Sequence, residues 1–231
     1  MKDAILDVLF PERCVLCGDW IPRHERPGAY PLCRGCYDLF RMETGEKCRV
    51  CSLELTSEQG ICTGCRNLEF SFQRNISLFP YRNHGQEVIL AYKSRGNERL
   101  SLFFAELLLP VWRKEFPHLP VVPVPPRPEG LRTRGFDPVG RICRDLSRIA
   151  SVPVLPMLYR RRGTQEQKRL NREGREENLK EAFFLGGSGE IPPTVVLLDD
   201  VFTTGTTLHR CGEVLKQGGV QEVYGLTLAR D

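Results

Sequence analysis

Apolar residues along most of this chain come in short runs and helical spacings that take turns. Val195 to Leu198 is an unbroken apolar run of strand length, the signature of a buried parallel strand. Leu208, Cys211 and Leu215 then repeat at helical spacing up to Gly218-Gly219, which reads as a helix stop. Val223, Leu226 and Leu228 mark a strand over Gln221 to Ala229. Upstream, Leu68 to Tyr81 alternates as an edge strand or two. Val88, Ile89, Leu90 and Tyr92 place a helix over His84 to Arg95, stopped by Gly96. Leu100, Phe103, Phe104, Leu107 and Leu108 predict a helix over Asn97 to Leu109 that ends at Pro110. Val121 to Val124 and Val152 to Leu155 read as short strands. Between them Asp137 caps a helix with Pro138 at its first position and Val139, Ile142, Cys143, Leu146 and Ile149 on one face. Strands taking turns with helices predict an α/β body with a mostly parallel sheet flanked by helices.

The pattern fails before residue 67, where cysteine replaces large apolar residues. Cys14-x2-Cys17, Cys33-x2-Cys36, Cys48-x2-Cys51 and Cys62-x2-Cys65 are four C-x2-C knuckles, each with the bite that tetrahedral zinc needs. Four thiolates per site leave no open position, so the metal is structural, and it supplies folding energy that the short apolar content cannot. Sequential pairing and cross-braced pairing both fit the spacing. The expected division is a double zinc-ribbon domain over 1–66 and an α/β domain over 67–231. Cys143 and Cys211 read as core, and His24, His118 and His209 as structural or exposed.

Composition narrows this picture only a little. Apolar residues make up 41% of 231, and 33 Lys+Arg against 29 Asp+Glu give a net charge of +4, too small to imply nucleic acid by itself. Met1 to Phe10 is interrupted by Asp3 and Asp7, and its Ile5, Leu6, Leu9 and Phe10 fit a short amphipathic helix better than a signal peptide. No run approaches the ~20 apolar residues of a membrane span. A cytoplasmic protein is expected, where metal ligation is favoured over disulfides.

The charged residues are placed more tellingly than they are counted. Asp199 and Asp200 follow the strand at Val195–Leu198, and Thr203-Thr204-Gly205-Thr206-Thr207 leads into the next helix. Backbone N–H groups at a helix start favour anions, hydroxyls add donors, and Gly205 permits close approach. The carboxylates can accept from a vicinal diol or hold Mg²⁺ through water. This is a plan for a sugar phosphate. A second anion site follows Val121–Val124, where a loop carries Arg127, Arg132, Arg134 and Gly135, and guanidinium forks match phosphate oxygens. Lys93 and Arg95 flank a helix end, either complementing its dipole or touching a ligand. Arg160 to Arg175, with Gln165 inside it, is long, basic and apolar-poor: a lid or a solvated loop.

The stretch from Asp199 to Thr207 resembles the ribose-phosphate loop of type I phosphoribosyltransferases, whose ligand is phosphoribosyl pyrophosphate (PRPP). The resemblance implies that Asp199 and Asp200 take the ribose hydroxyls, as the catalytic pair of an active enzyme. It implies that Thr203, Thr204, Gly205, Thr206 and Thr207 hold the 5′-phosphate. Arg132, Arg134 and Gly135 would receive the pyrophosphate with Mg²⁺, and Lys93, Arg95, Arg160 and Gln165 would be lid or ligand contacts. The cysteine-rich head, Tyr92-Lys93-x-Arg95-Gly96, Pro123-Val124-Pro125, Arg132-x-Arg134-Gly135-Phe136, Thr164-Gln165, Asn178-Leu179 and Leu226 to Arg230 extend the likeness nearly end to end. Together they are similar to the competence protein F (ComF) family. Ser94 and Asp137 depart from its usual residues, away from the ribose-phosphate loop.

That family implies a part in uptake of transforming DNA, with single-stranded DNA and DNA-uptake proteins as partners. Two readings stay open: a PRPP-binding module in that process, or an active transferase moving ribose 5-phosphate to a nitrogen acceptor. No stretch stands out as a base reader, and aromatic residues are not visibly interleaved with the basic clusters.

Overall fold

A computed structural model describes residues 12–40, 45–56, 60–161, 182–187 and 189–231. The amphipathic segment at Met1–Phe10 and most of the basic run after Arg161, including Gln165 and Asn178-Leu179, lie outside these residues. The described elements in chain order are a 3-10 turn at Arg23–Glu25, α1 (Arg34–Asp38), β1 (Asn75–Pro80), α2 (His84–Lys93), α3 (Leu100–Glu115), β2 (Val121–Pro123), α4 (Pro128–Arg134), α5 (Pro138–Ala150), β3 (Leu158–Arg160), β4 (Phe183–Leu185), β5 (Thr194–Phe202), α6 (Thr206–Gln217) and β6 (Glu222–Arg230).

Four strands form one parallel sheet in the order β1-β6-β5-β2, and β3 and β4 form a separate antiparallel pair. The central strands β5 and β6 are the ones that read as buried apolar runs, and Val195, Val196, Leu197, Val223 and Leu226 are fully enclosed. Alternation divides β5 between two cores. Val196 and Leu198 pack with α2, α3 and α5, whereas Val195 and Leu197 pack with Leu208, Cys211 and Leu215 of α6. Helices therefore cover both faces of the sheet, the α/β arrangement expected.

Each cysteine cluster joins one of these cores. Cys14, Ile21, Tyr30, Leu32, Cys36 and Phe40 pack with Phe103 and Phe104 of α3, and Tyr30 donates its hydroxyl to Glu106 at 2.7 Å. Cys48, Val50, Cys51, Cys62 and Cys65 pack with Phe72 and the α6 side. The second cluster also closes the outer edge of β1. The Ser52 hydroxyl donates to Asn75 O at 2.9 Å and accepts from Ser77 N–H at 2.8 Å, and Arg49 O accepts from Asn75 N–H at 2.8 Å. These bonds satisfy edge groups that would otherwise invite pairing with another chain.

Several expected boundaries move. The helix expected to stop at Pro110 runs on to Glu115 with Pro110 inside it. The turn beyond the proline buries Val111 and Trp112, with Phe116 just past the helix end, and Trp112 Nε1 donates to Leu119 O at 3.0 Å. Burial of about 1.5–3 kcal/mol per large side chain offsets the roughly 3 kcal/mol that an interior proline costs. Val152–Leu155 makes only one parallel bridge, Val121 to Val154, because Pro153 offers no N–H for a ladder. The arginine-rich segment after β2 is a short helix, α4, started by Pro128 and ended by Gly135 at φ +78°.

Candidate functional site

β2 stops one residue short of the acidic pair. Its register on β5 is Val121–Val196, Val122–Leu197 and Pro123–Leu198, and Val124 N–H to Leu198 O at 2.9 Å is the last backbone link. β5 continues beside β6 as far as the pair Phe202–Arg230. Asp199 and Asp200 thus sit in the last part of a longer strand than the sequence predicts, with one flank released by β2. A crevice at the carboxyl ends of adjacent parallel strands is where open α/β sheets place ligands.

The electrostatics of this crevice are set by three described elements. Asp199 Oδ1 accepts from Asp200 N–H at 2.8 Å. Burial, and then the charge of Asp200, push the Asp199 carboxyl up to about 8, against the pull of that N–H, Lys93 and Arg160. Lys93, the last residue of α2, pairs with Asp200 at 2.7 Å, Nζ to Oδ2. Arg160 ends β3 with its guanidinium 4.8 Å from the Phe183 ring centroid. Burial, and then the neighbouring Arg127, pull its pKa down, while Cys211, Asp199 and Glu129 hold it up. Lys93 and Arg160 are therefore brought to the acidic pair. Arg95 is not: its guanidinium turns back along α2 to Glu87 at 3.4 Å.

Thr203, Thr204, Thr206 and Thr207 are all exposed around the start of α6. Thr204 and Thr206 share a hydroxyl hydrogen bond of 2.8 Å, the Thr204 hydroxyl also accepts from Thr206 N–H at 3.4 Å, and Gly205 at the N-cap has no side chain to add. Among the described residues Thr206 N–H has only this long bond, and no side-chain cap is seen on Thr207 N–H or Leu208 N–H, so the start of α6 can turn donors to an anion. Gly205 makes this turn possible. It holds φ +77°, and a Cβ there would lie 2.7 Å from Phe202 Cζ and 2.9 Å from Phe70 Cε1.

Phe70 and its neighbours are a support that the sequence did not reveal. Ser71 N–H donates to His209 Nδ1 at 3.0 Å, the Ser71 hydroxyl donates to His209 O, and Gly212 leaves room for Ser71. The segment leaving the second cysteine cluster therefore braces the turn of α6. His209 is structural, as expected, and Cys143 and Cys211 are buried core.

After β2, Arg132 is exposed in the last turn of α4. Arg134 is half-buried over Gly130, where a Cβ would lie 2.7 Å from its Nη2, and its Nε has no hydrogen-bond partner among the described residues. Asp137 caps α5 through Gly140 N–H at 3.0 Å.

The cysteine clusters resolve the pairing as sequential. The thiols of Cys14, Cys17, Cys33 and Cys36 lie within 4.8 Å of one another, as do those of Cys48, Cys51, Cys62 and Cys65. Zn–S bonds of 2.3 Å in a tetrahedron separate sulfurs by about 3.8 Å, and Cys17–Cys33 and Cys51–Cys62 stand 3.8 and 3.7 Å apart. Burial raises the Cys14 and Cys48 thiols, but surrounding backbone N–H groups outweigh it and bring both to about 7, easing thiolate formation.

Residues 5–66 match the family model of the double zinc ribbon domain, which assigns structural zinc to both clusters. The chain is 31% identical to competence protein F of Haemophilus influenzae, over 86% of this chain and 90% of that protein. The chain belongs to the competence protein F family. It is also 27% identical to competence protein ComFC of Streptococcus pneumoniae, over 93% of this chain and 87% of the relative. DNA utilization protein YhgH of Escherichia coli is 30% identical over 88% and 92%. Among the described residues no helix is long and apolar enough to cross a membrane.

Proposed function

We propose that this member of the competence protein F family binds PRPP with Mg²⁺ in the crevice between β2 and β5, and does so in the cytoplasm in the service of DNA uptake. The observation that carries the reading is the placement of Asp199 and Asp200 where β2 releases β5, next to the glycine-led start of α6. The carboxylates accept from the ribose hydroxyls, and the Thr203–Thr207 turn receives the 5′-phosphate. Arg132 and Arg134, on the helix that follows β2, are the partners for pyrophosphate oxygens in this reading. Lys93 and Arg160 keep two buried or half-buried carboxylates tolerable before ligand arrives. Mg²⁺, when bound with PRPP, neutralises the pyrophosphate, and the carboxylate and hydroxyl donors here are the hard oxygen ligands it takes. The DNA part of the reading rests on relatives called competence proteins and DNA utilization proteins.

Calorimetric titration with PRPP and Mg²⁺ tests this. Saturable binding that weakens at least tenfold in Asp199→Asn/Asp200→Asn is expected, because charged hydrogen bonds are each worth about 1.5–3 kcal/mol. Release of pyrophosphate on adding a nitrogen acceptor would identify the transferase reading.

A further inference from the structure

The antiparallel pair β3–β4 presents two unlike faces. Its inner face carries Leu158, Phe183 and Leu185, which pack towards α6, where a Cβ on Gly218 would come 2.6 Å from Leu185 Cδ2. Its outer face carries Tyr159 and Phe184, directly opposite each other in the register. Both rings stay open to solvent, at 44% and 39% exposure, although each could be buried at a gain. Their centroids are 5.6 Å apart and their planes differ by only 25°. Tyr159 lies over Gly186, where a Cβ would clash with its ring at 2.6 Å, so the pair is held in place before any partner arrives.

One cation adjoins this aromatic pair. Arg161 Cζ lies 5.9 Å from the Phe184 centroid, over the ring, and Arg161 N–H bonds Ala182 O at 2.9 Å, extending the hairpin by one more link. Arg160 lies on the opposite, inner face, where Arg127, Asp199 and Glu129 are among its charged neighbours. Solvent-exposed stacked rings with a guanidinium group over one of them match the chemistry of a nucleobase attached to a phosphate backbone.

We propose that Tyr159, Phe184 and Arg161 form a stacking platform for single-stranded nucleic acid. A base extends the Tyr159–Phe184 stack, and Arg161 takes the adjoining phosphate. Because Arg160 links the same strand to Asp199, the strand of nucleic acid lies beside the ribose-phosphate crevice. The inference rests on the DNA part of the proposed function and is independent of PRPP.

The test is fluorescence anisotropy of a labelled oligothymidylate with the zinc-loaded full chain, over a salt series. Tyr159→Ala/Phe184→Ala is expected to weaken binding roughly ten- to hundredfold with an unchanged salt slope, since stacking is lost and phosphate contacts stay. Arg161→Ala is expected to flatten the slope. Phe184→Trp is expected to retain affinity and to show indole quenching on binding. An oligomer of abasic sites is expected to bind wild type about as weakly as thymidylate binds the double variant. PRPP titration of the double variant should match wild type, which shows the crevice intact. Equal thymidylate affinity of wild type and double variant overturns the platform while leaving the DNA reading. No binding to wild type at any salt overturns both and leaves the PRPP reading to its own titration.

Discussion

Lys93 Nζ lies 2.7 Å from Asp200 Oδ2, so the last residue of α2 neutralises a carboxylate near the far end of β5. The pair forms across the sheet's carboxyl edge, and it gives the Lys93-x-Arg95 motif a division of labour. Lys93 turns in to the acidic pair, and Arg95 turns away to Glu87.

Removing that cation leaves Asp200 without its ion-pair partner beside Asp199. Lys93→Ala should therefore bind Mn²⁺ roughly tenfold more tightly than wild type in the absence of PRPP. Titration followed by the Mn²⁺ paramagnetic resonance signal reads this directly, and an unchanged affinity would remove Lys93 from the site.

The raised Asp199 carboxyl has a pH signature. Its folded value of about 8 lies above the ~3.9 of an unfolded Asp, so between these values the folded chain binds more protons than the unfolded one. Its contribution to stability is complete below about pH 4 and is lost as pH rises towards 8. Asp199→Asn keeps the acceptor for Asp200 N–H but has no charge to bury. It should be more stable than wild type at pH 8 by at least about 1 kcal/mol, roughly 2–4 °C in Tm, with the difference shrinking towards pH 5. Urea unfolding across this range is the measurement, and a difference that grows on acidification would contradict the assignment.

Gly205→Ala places a methyl group against Phe202 and Phe70 in a left-handed turn. A cost of about 1–3 kcal/mol is expected, together with loss of PRPP binding at concentrations that saturate wild type. Val201→Ala, in β5 before the turn, should cost stability without that loss.

The two zinc sites should differ in lability. Cys17 is exposed and Cys33 half-buried in the first, whereas Cys48, Cys51, Cys62 and Cys65 are all buried. Zinc release to a colorimetric chelator under a mercurial titrant should reach about two ions per chain in two phases, the first site emptying first. Cys48→Ser should harm folding more than Cys17→Ser, because the second ribbon closes the edge of β1 and leads into the brace at Phe70 and Ser71.

What could be read in advance was local. The cysteine knuckles declare their bite in three residues, and the acidic pair with its turn needs only one strand and one helix start. What could not be read was set by contacts between distant segments. Gly205 signals a turn, but not that Phe70 lies over it. Arg132 and Arg134 read as loop because charge hides the Pro128 start and Gly135 stop of a short helix. Tyr159 and Phe184 stand on either side of the long basic run, so the sequence shows no aromatic residue among the cations. Only the register of β3 on β4 brings them together. Pairing of the cysteines was ambiguous for the same reason, since spacing fixes each knuckle but not which knuckles meet.

The most direct test of the central claim is titration of the zinc-loaded wild type and of Asp199→Asn/Asp200→Asn with PRPP in Mg²⁺, at equal zinc content and matched Tm. Saturable binding by wild type, weakened at least tenfold in the double variant, is predicted. Equal binding by the two proteins, or none by wild type, contradicts a ribose-phosphate site at the end of β5.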